Sequence, residues 1–434
     1  MAALVWSIRR RGAGCGWQIF SKAIQPCFTY NPPAGTVLNV GTHQLSVTIT
    51  PTDTANYTTA QASVSIAVDP VTTAAFNLDS STYTVNEGAG HGTITVNRTG
   101  GGAGAASVNY TTSDTAALTD CNVFNGIGSS RCDYATTVGT LRFAAGEMSK
   151  VIYIPLVDDS YAEGSEGFTI TLSNAVGESL GTVTSAPITI QDNETVTGTN
   201  PLNNVSFFVR EHYIDFLGRE PEPGGFAGWQ NILNNCPASG KDAQGNFCDR
   251  IEVSSGFFRS EEFQMRGYFI YRFYSAVDRI PSYAEFMPDM AKVSGFLSAE
   301  QLEANKAAFV TEFMGRSEFQ NRYGALTAPT AYVDGLLQTV ELQNHPSRGA
   351  WIAGLTNGTM TRGQVLRALI ESTQLYQKYY SEAFVVMQYF GYLRRDPDIM
   401  YLDWIQTLNQ TGDYRTMING FLNSTEYRKR FGPQ

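Results

Sequence analysis

Eight carboxylates in the middle of this chain occupy positions from which strand ends can hold a cation. Asp158-Asp159 directly follows an apolar, β-branched run ending at Leu156-Val157, and Asp192-Asn193-Glu194 directly follows another ending at Ile190. Glu87 comes just after Tyr83–Val85, and Asp133 lies in the loop before Thr140–Phe143. Glu163 and Glu166 complete the acidic loop 158–166. Several of these loops would converge at one end of a sandwich. Carboxylates gathered without basic partners disfavour one another's ionisation. A hard cation such as calcium, which takes 6–8 oxygens, relieves that cost. The alternative is a set of acidic loops that are merely solvated.

The charge distribution agrees. Residues 73–194 hold 13 acidic and 4 basic residues, so they account for nearly all of the chain's net charge of −10. A local excess of this kind repels itself unless a cation neutralises it. It also argues against a nucleic-acid partner, which requires a basic face.

Catalytic readings find little support. His43, His91, His212 and His345 are dispersed along the chain, and no H-E-x-x-H or phosphate-loop motif occurs. A glycosidase-like carboxylate pair is compatible with the composition, but the cation site already accounts for those acids. No catalytic residue is assigned and the chain is read as a non-enzyme. The cysteines form near-sequence pairs, Cys15 with Cys27, Cys121 with Cys132 and Cys236 with Cys248, none with C-x-x-C spacing. Zinc is therefore disfavoured. The last two pairs suit loop-closing disulfides in an oxidising compartment, with reduced cytosolic thiols as the alternative.

At 434 residues the chain is too long for one core, and no apolar run approaches the roughly 18 residues a membrane span needs. Residues 1–26 read as an unstructured leader. Residues 27–70 contain the short strands Val37–Val40, Leu45–Ile49 and Ala62–Val68. Residues 73–194 continue all-β, with strands at Tyr83–Val85, Thr93–Asn97, Ser107–Thr111, Thr140–Phe143, Lys150–Leu156, Phe168–Leu172 and Ala186–Ile190. Seven short strands with Gly-rich turns predict a sandwich. A polar stretch over 195–205 reads as a linker.

From residue 206 the apolar period becomes helical: Val209, Tyr213, Phe216 and Leu217 share one face. Ser298-Ala-Glu-Gln301 has a capping-box pattern ahead of Leu302, Phe309 and Phe313. This region repeats itself. Phe208, Tyr213, Leu217, Arg219 and Pro221 return at Phe384, Tyr389, Leu393, Arg395 and Pro397, each 176 residues on. A closing phrase recurs at Ser260-Glu-Glu-Phe263, Ser317-Glu-Phe319, Leu375-Tyr376 and Ser424-Thr-Glu-Tyr427, giving about four units. Unit one carries about 12 extra residues, and Cys236 and Cys248 bracket a loop of that length. It reads as an insertion pinned by a disulfide. Arg219 and Arg395 read as helix caps, with a glycan contact as the alternative.

Several phrases resemble known families. Val85-Asn-Glu87-Gly88, Cys132-Asp133-Tyr134, Gly139–Glu147, Val157–Glu166, Phe168–Asn174 and Ile188–Glu194 together resemble the motif run of the Calx-beta family. The resemblance implies a calcium-binding sandwich with ligands at Glu87, Asp133, Asp158, Asp159, Glu163, Glu166, Asp192 and Glu194. Ser160 and Asn193 depart from the pattern, standing where calcium-rich members often have a carboxylate. The loop Cys121–Cys132 is extra, and a disulfide there either stiffens the ion site or serves as a plain staple. Gly35–Tyr57 resembles the second half of a bacterial immunoglobulin-like repeat. The helical region resembles a bacterial domain family of unknown function, related to phycobilisome-linker repeats and to the anchoring regions of surface-layer proteins.

The expected architecture is a multi-domain chain, an all-β sandwich of Calx-beta or immunoglobulin-like type followed by an all-α helical repeat over 206–434. The expected function is a non-catalytic, calcium-binding surface or secreted adhesion protein, extracellular, whose repeats bind a partner protein or a cell-surface glycan. The alternatives are a structural module of a surface layer and a fragment of a larger secreted hydrolase.

Overall fold

The computed structural model describes residues 27–33, 35–68, 74–100, 102–113, 120–295 and 297–434. The expected leader, with Cys15, lies outside these residues. The chain divides into two compact units, residues 1–75 with 99–101, and the remainder.

The first unit carries a three-stranded antiparallel sheet in the order β1-β2-β3, with β1 Cys27–Asn31, β2 Gly41–Thr50 and β3 Ala60–Val68. One expected strand is corrected. Val37–Val40 is not a ladder strand; it belongs to the connection between β1 and β2, and Val37 and Val40 are exposed. The strand that pairs with β2 is Cys27–Asn31, with Cys27 opposite Thr50 and Asn31 opposite Ser46. Pro32 and Pro33 lack the N–H groups needed to continue that ladder and end β1 there. Asp53 turns the chain into β3, its Oδ1 accepting the N–H groups of Ala55 and Asn56.

In the second unit, two sheets face each other. One has the order β5-β12-β10-β7-β8, the other β11-β4-β6-β9. The strands are β4 Ala75–Leu78, β5 Tyr83–Asn86, β6 His91–Arg98, β7 Ala106–Thr112 and β8 Val138–Phe143. They continue with β9 Ser149–Pro155, β10 Glu166–Val176, β11 Ser179–Leu180 and β12 Ser185–Gln191. All seven expected strands are present, and β4 and β11 are additions. Alternation sets the core: Ile152 and Ile154 on β9 meet Phe168, Ile170 and Leu172 on β10 inside, while Val151 and Tyr153 face out.

From Val205 onward the chain is helical. The two openings of the repeat end alike, in widened π turns at Tyr213–Leu217 and Tyr389–Leu393, each closed by a left-handed residue, Gly218 at φ 63° and Arg394 at φ 48°. The closing phrases start short helices. Ser260, Ser372 and Ser424 cap them by accepting the N–H of Phe263, Leu375 and Tyr427. The register of the third closer is thereby corrected: the buried residue equivalent to Phe263, Phe319 and Tyr427 is Leu375, not Tyr376.

The role of the repeat arginines is also corrected. Arg219 is a tie, pairing with Glu262 through Nε at 2.7 Å and Nη2 at 2.5 Å, and giving Nη1 to the carbonyl of Glu220. Arg279 does the same to Glu318 and Ile280, and Arg395 to Glu426 and Asp396. The closers of units one, two and four are each clipped in this way. The two-pronged guanidinium matches a carboxylate, which explains why arginine recurs there.

The stretch expected as a linker is part of a seam. Asn200 and Leu202 are buried, and Asn200 Nδ2 donates to the carbonyls of Arg428 at 2.7 Å and Gly432 at 3.0 Å. Two disulfides close the expected loops, Cys121–Cys132 and Cys236–Cys248. The second lies between the helices Pro223–Asn234 and Arg250–Arg259.

Candidate metal centre

The acidic residues reach one end of the sandwich by short, locally determined paths. Asn86 ends β5 and its Oδ1 accepts the N–H of Gly88, starting the turn that carries Glu87. The parallel pairing of β5 with β12 sets Asn86 beside Gln191, so Glu87 and Asp192 leave the sheet together. Asp192 then organises two loops. Its Oδ2 accepts the N–H groups of Glu163 and Gly164, both at 2.7 Å, and its Oδ1 accepts that of Glu194 at 2.7 Å. Asp159 Oδ1 accepts the N–H of Tyr161 at 2.7 Å, while its own N–H donates to Glu87 Oε1 at 3.1 Å. Asp133 follows the disulfide Cys121–Cys132 directly, and its Oδ2 accepts the N–H of Ser129.

Two triads result. One oxygen each from Glu87, Asp192 and Glu194 lie within 4.8 Å of one another, and so do oxygens of Asp133, Asp159 and Glu163. Asp158 sits beside the first triad, where Asn193 Nδ2 bridges Asp158 Oδ1 at 3.2 Å and Glu194 Oε1 at 3.3 Å. Glu166 shares a hydrogen bond with Asp133 of the second. All eight carboxylates named from the sequence therefore fall in one neighbourhood.

Burial dominates the electrostatics here, and neighbouring carboxylates add to it. Burial pushes Glu87 up to about 8, with Glu194, Asp158 and Asp192 adding to it and a hydrogen bond from Asp159 opposing. Burial likewise raises Glu163 to about 8, helped by Asp133 and Asp192, and Glu194 to about 7. Glu166 rises to about 10 through burial and then Asp133. Asp133 rises to about 6 through burial, moderated by the hydrogen bond from Ser129 and by the guanidinium of Arg394. Asp159 is held well above the usual carboxylate range by burial and by Glu87.

These residues fit a divalent cation on more than proximity. Asp159 Oδ2 and Glu194 Oε2 are buried and accept no hydrogen bond among the described residues. An unsatisfied buried carboxylate oxygen costs free energy unless something charged meets it. An all-oxygen donor set suits calcium rather than a softer metal.

What the sequence reading missed lies on the far side of the same loops. Arg131, inside the disulfide loop, gives Nε to the carbonyl of Leu393 at 3.1 Å and Nη2 to Glu426 at 3.0 Å. Arg394 gives Nη1 to the carbonyls of Ser130 at 2.8 Å and Tyr134 at 3.1 Å. Arg394 and Arg430 both pair with Asp215, at 2.9 and 3.1 Å, and all three are buried. Arg210 gives Nη2 to the carbonyls of Gly90 at 2.6 Å and Leu156 at 2.9 Å. The acidic end of the sandwich is therefore bonded to the helices.

Residues 69–194 match the Calx-beta domain family. Crystal structures similar to part of the chain include the apo-form Calx CBD1 domain, at 27% identity over 28% of this chain and 100% of that one, with a TM-score of 0.25. Another is the calcium binding domain CBD12 of CALX1.1, at 30% identity over 27% of this chain and 45% of that one, with a TM-score of 0.24. No curated protein matches the chain.

Proposed function

We propose that this chain is a non-catalytic, calcium-binding interaction protein of the cell surface or extracellular space. Calx-beta domains are calcium-binding and regulatory rather than catalytic. The observation that carries the reading is the pair of carboxylate triads with two buried oxygens, on Asp159 and Glu194, that have no hydrogen-bond partner among the described residues. Asp158, Asp159, Asp133, Glu163, Glu87, Asp192 and Glu194 would supply the oxygens, with Glu166 beside them. Two disulfides support an oxidising compartment, and no helix among the described residues is long and apolar enough to cross a membrane. The helical half is the module that would meet a partner protein or a surface glycan. The test is calcium titration of the full chain by calorimetry, with Asp158→Asn/Asp159→Asn alongside. We expect saturable binding that weakens at least tenfold in the double variant. A titration without heat and without a shift in melting temperature would remove the reading.

A further inference from the structure

The tripeptide Asp159-Ser160-Tyr161 faces two ways. On one side Asp159 reaches the second carboxylate triad with Asp133 and Glu163. On the other, Ser160 grips the segment that follows the helix Thr425–Arg428. Its N–H and its hydroxyl both donate to the carbonyl of Phe431, at 3.1 and 3.0 Å. Tyr161 Oη donates to the carbonyl of Lys429 at 3.2 Å, and Asn200 holds the carbonyls of Arg428 and Gly432. The segment is seated closely. Gly432 has φ 151°, and a Cβ there would lie 2.1 Å from Ser160 Oγ and 3.0 Å from Asn200 Cα. Only glycine fits both the conformation and the gap. Position 160 is also one of the two at which the chain departs from the calcium-rich pattern, and its hydroxyl is spent on Phe431.

We propose that cation binding at Asp133, Asp159 and Glu163 controls whether residues 429–432 stay docked, so that calcium reaches the helical half through this strap. The proposal rests on the calcium reading above and goes beyond it. The physical reason is the position of Asp159. Without a cation, its buried Oδ2 has no hydrogen-bond partner among the described residues, although oxygens of Asp133 and Glu163 lie within 4.8 Å of its carboxylate. Relief by outward movement of Asp159 carries Ser160 and Tyr161 with it, because they are adjacent in the chain and Tyr161 N–H is bonded to Asp159 Oδ1. A cation supplies the missing partner and fixes the strap. By thermodynamic reciprocity, whatever loosens the docked segment must weaken the cation.

The experiment uses the full chain. Amide exchange of residues 426–434 is followed by mass spectrometry with and without calcium, and calcium affinity is measured for wild type, Gly432→Ala and Gly412→Ala. Gly412 is also left-handed, at φ 70°, but nothing lies within 4 Å of its Cβ position, so it controls for general strain. We expect calcium to slow exchange in 426–434 at least fivefold. Gly432→Ala should bind calcium about tenfold more weakly, within the range usual for coupled sites, while Gly412→Ala binds as wild type does. Normal calcium binding with unchanged exchange and unchanged Gly432→Ala affinity would overturn the coupling and leave the calcium reading standing. Absence of calcium binding in the wild type would overturn both.

Discussion

The two halves of the second unit handle buried charge in opposite ways. At the end of the sandwich, carboxylates gather with few basic partners, and several are forced up in pKa by burial and by one another. In the helices, acids are matched to guanidinium groups: Glu262 to Arg219, Glu318 to Arg279, Glu426 to Arg395, and Asp215 to both Arg394 and Arg430. The helical half carries its countercharges in its own sequence. The sandwich end lacks such matching among the described residues; the proposed calcium ion would supply it. The same chemical step, carboxylate to amide, should therefore have opposite consequences in the two places.

The largest effect is expected at Asp215. Asp215→Asn would leave Arg394 and Arg430 buried against an uncharged partner. Removing one member of such a buried set costs about 3–5 kcal/mol, so denaturant unfolding should show a loss of that order, with or without calcium. At Asp159 the sign should turn. Asp159→Asn removes a buried, unpartnered oxygen, so without calcium the variant should melt at or above the wild-type temperature. With calcium it should lose most of the wild-type gain, which would be about 2.7 kcal/mol at a hundredfold excess over Kd. A variant that melts well below wild type without calcium would contradict the contrast.

A pH series sharpens it further. Glu87 and Glu163, raised to about 8, hold protons in the folded state that the unfolded chain releases near the ordinary value of 4.5. Between those values the folded state binds more protons, so calcium-free stability contributed by these groups falls as pH rises from about 5 to 8. Saturating calcium should flatten that slope. Melting curves at pH 5, 6.5 and 8 in chelator and in calcium give both lines. The smallest effect is expected at a repeat clip. Arg279 and Glu318 are about one-third exposed, so Arg279→Gln should cost no more than about 1 kcal/mol and leave calcium affinity unchanged.

Much of this was legible in residue order. Period-two apolar runs gave the seven strands, because one face of each is buried. The acids were legible as site residues because each sits within a few residues of a strand end, where the fold gives little freedom. Their convergence at one end of the sandwich was legible too, but their division into two triads was not. It depends on how Asp192 and Asp159 fold their loops through backbone hydrogen bonds, and residue types alone do not encode those turns. Nor was the seam. Arg131, Asp215, Arg394 and Arg430 are single charges whose mutual contacts span 179 to 299 residues, and no period links them. The third closer was misregistered by one residue because two apolar side chains, Leu375 and Tyr376, stand side by side. The capping serine three residues before the buried position, at Ser260, Ser372 and Ser424, was a signal that would have placed it. Val37–Val40 has strand-like residues but lies in the connection behind a Pro-Pro pair.

The grip of Ser160 on Phe431 has a consequence for the order in which the molecule can be built. The two residues are 271 positions apart, which at ordinary rates of synthesis is roughly 15–55 s of translation. The nine described strands of the sandwich can pair as soon as residue 191 is free, since each finds its partners within that span. Its acidic end cannot be completed then, because Arg394, Arg430 and the carbonyl of Phe431 do not yet exist. During that interval the loop 158–166 is on a folded sandwich with one side bare. The first part of this unit to be made contains the part that is finished last.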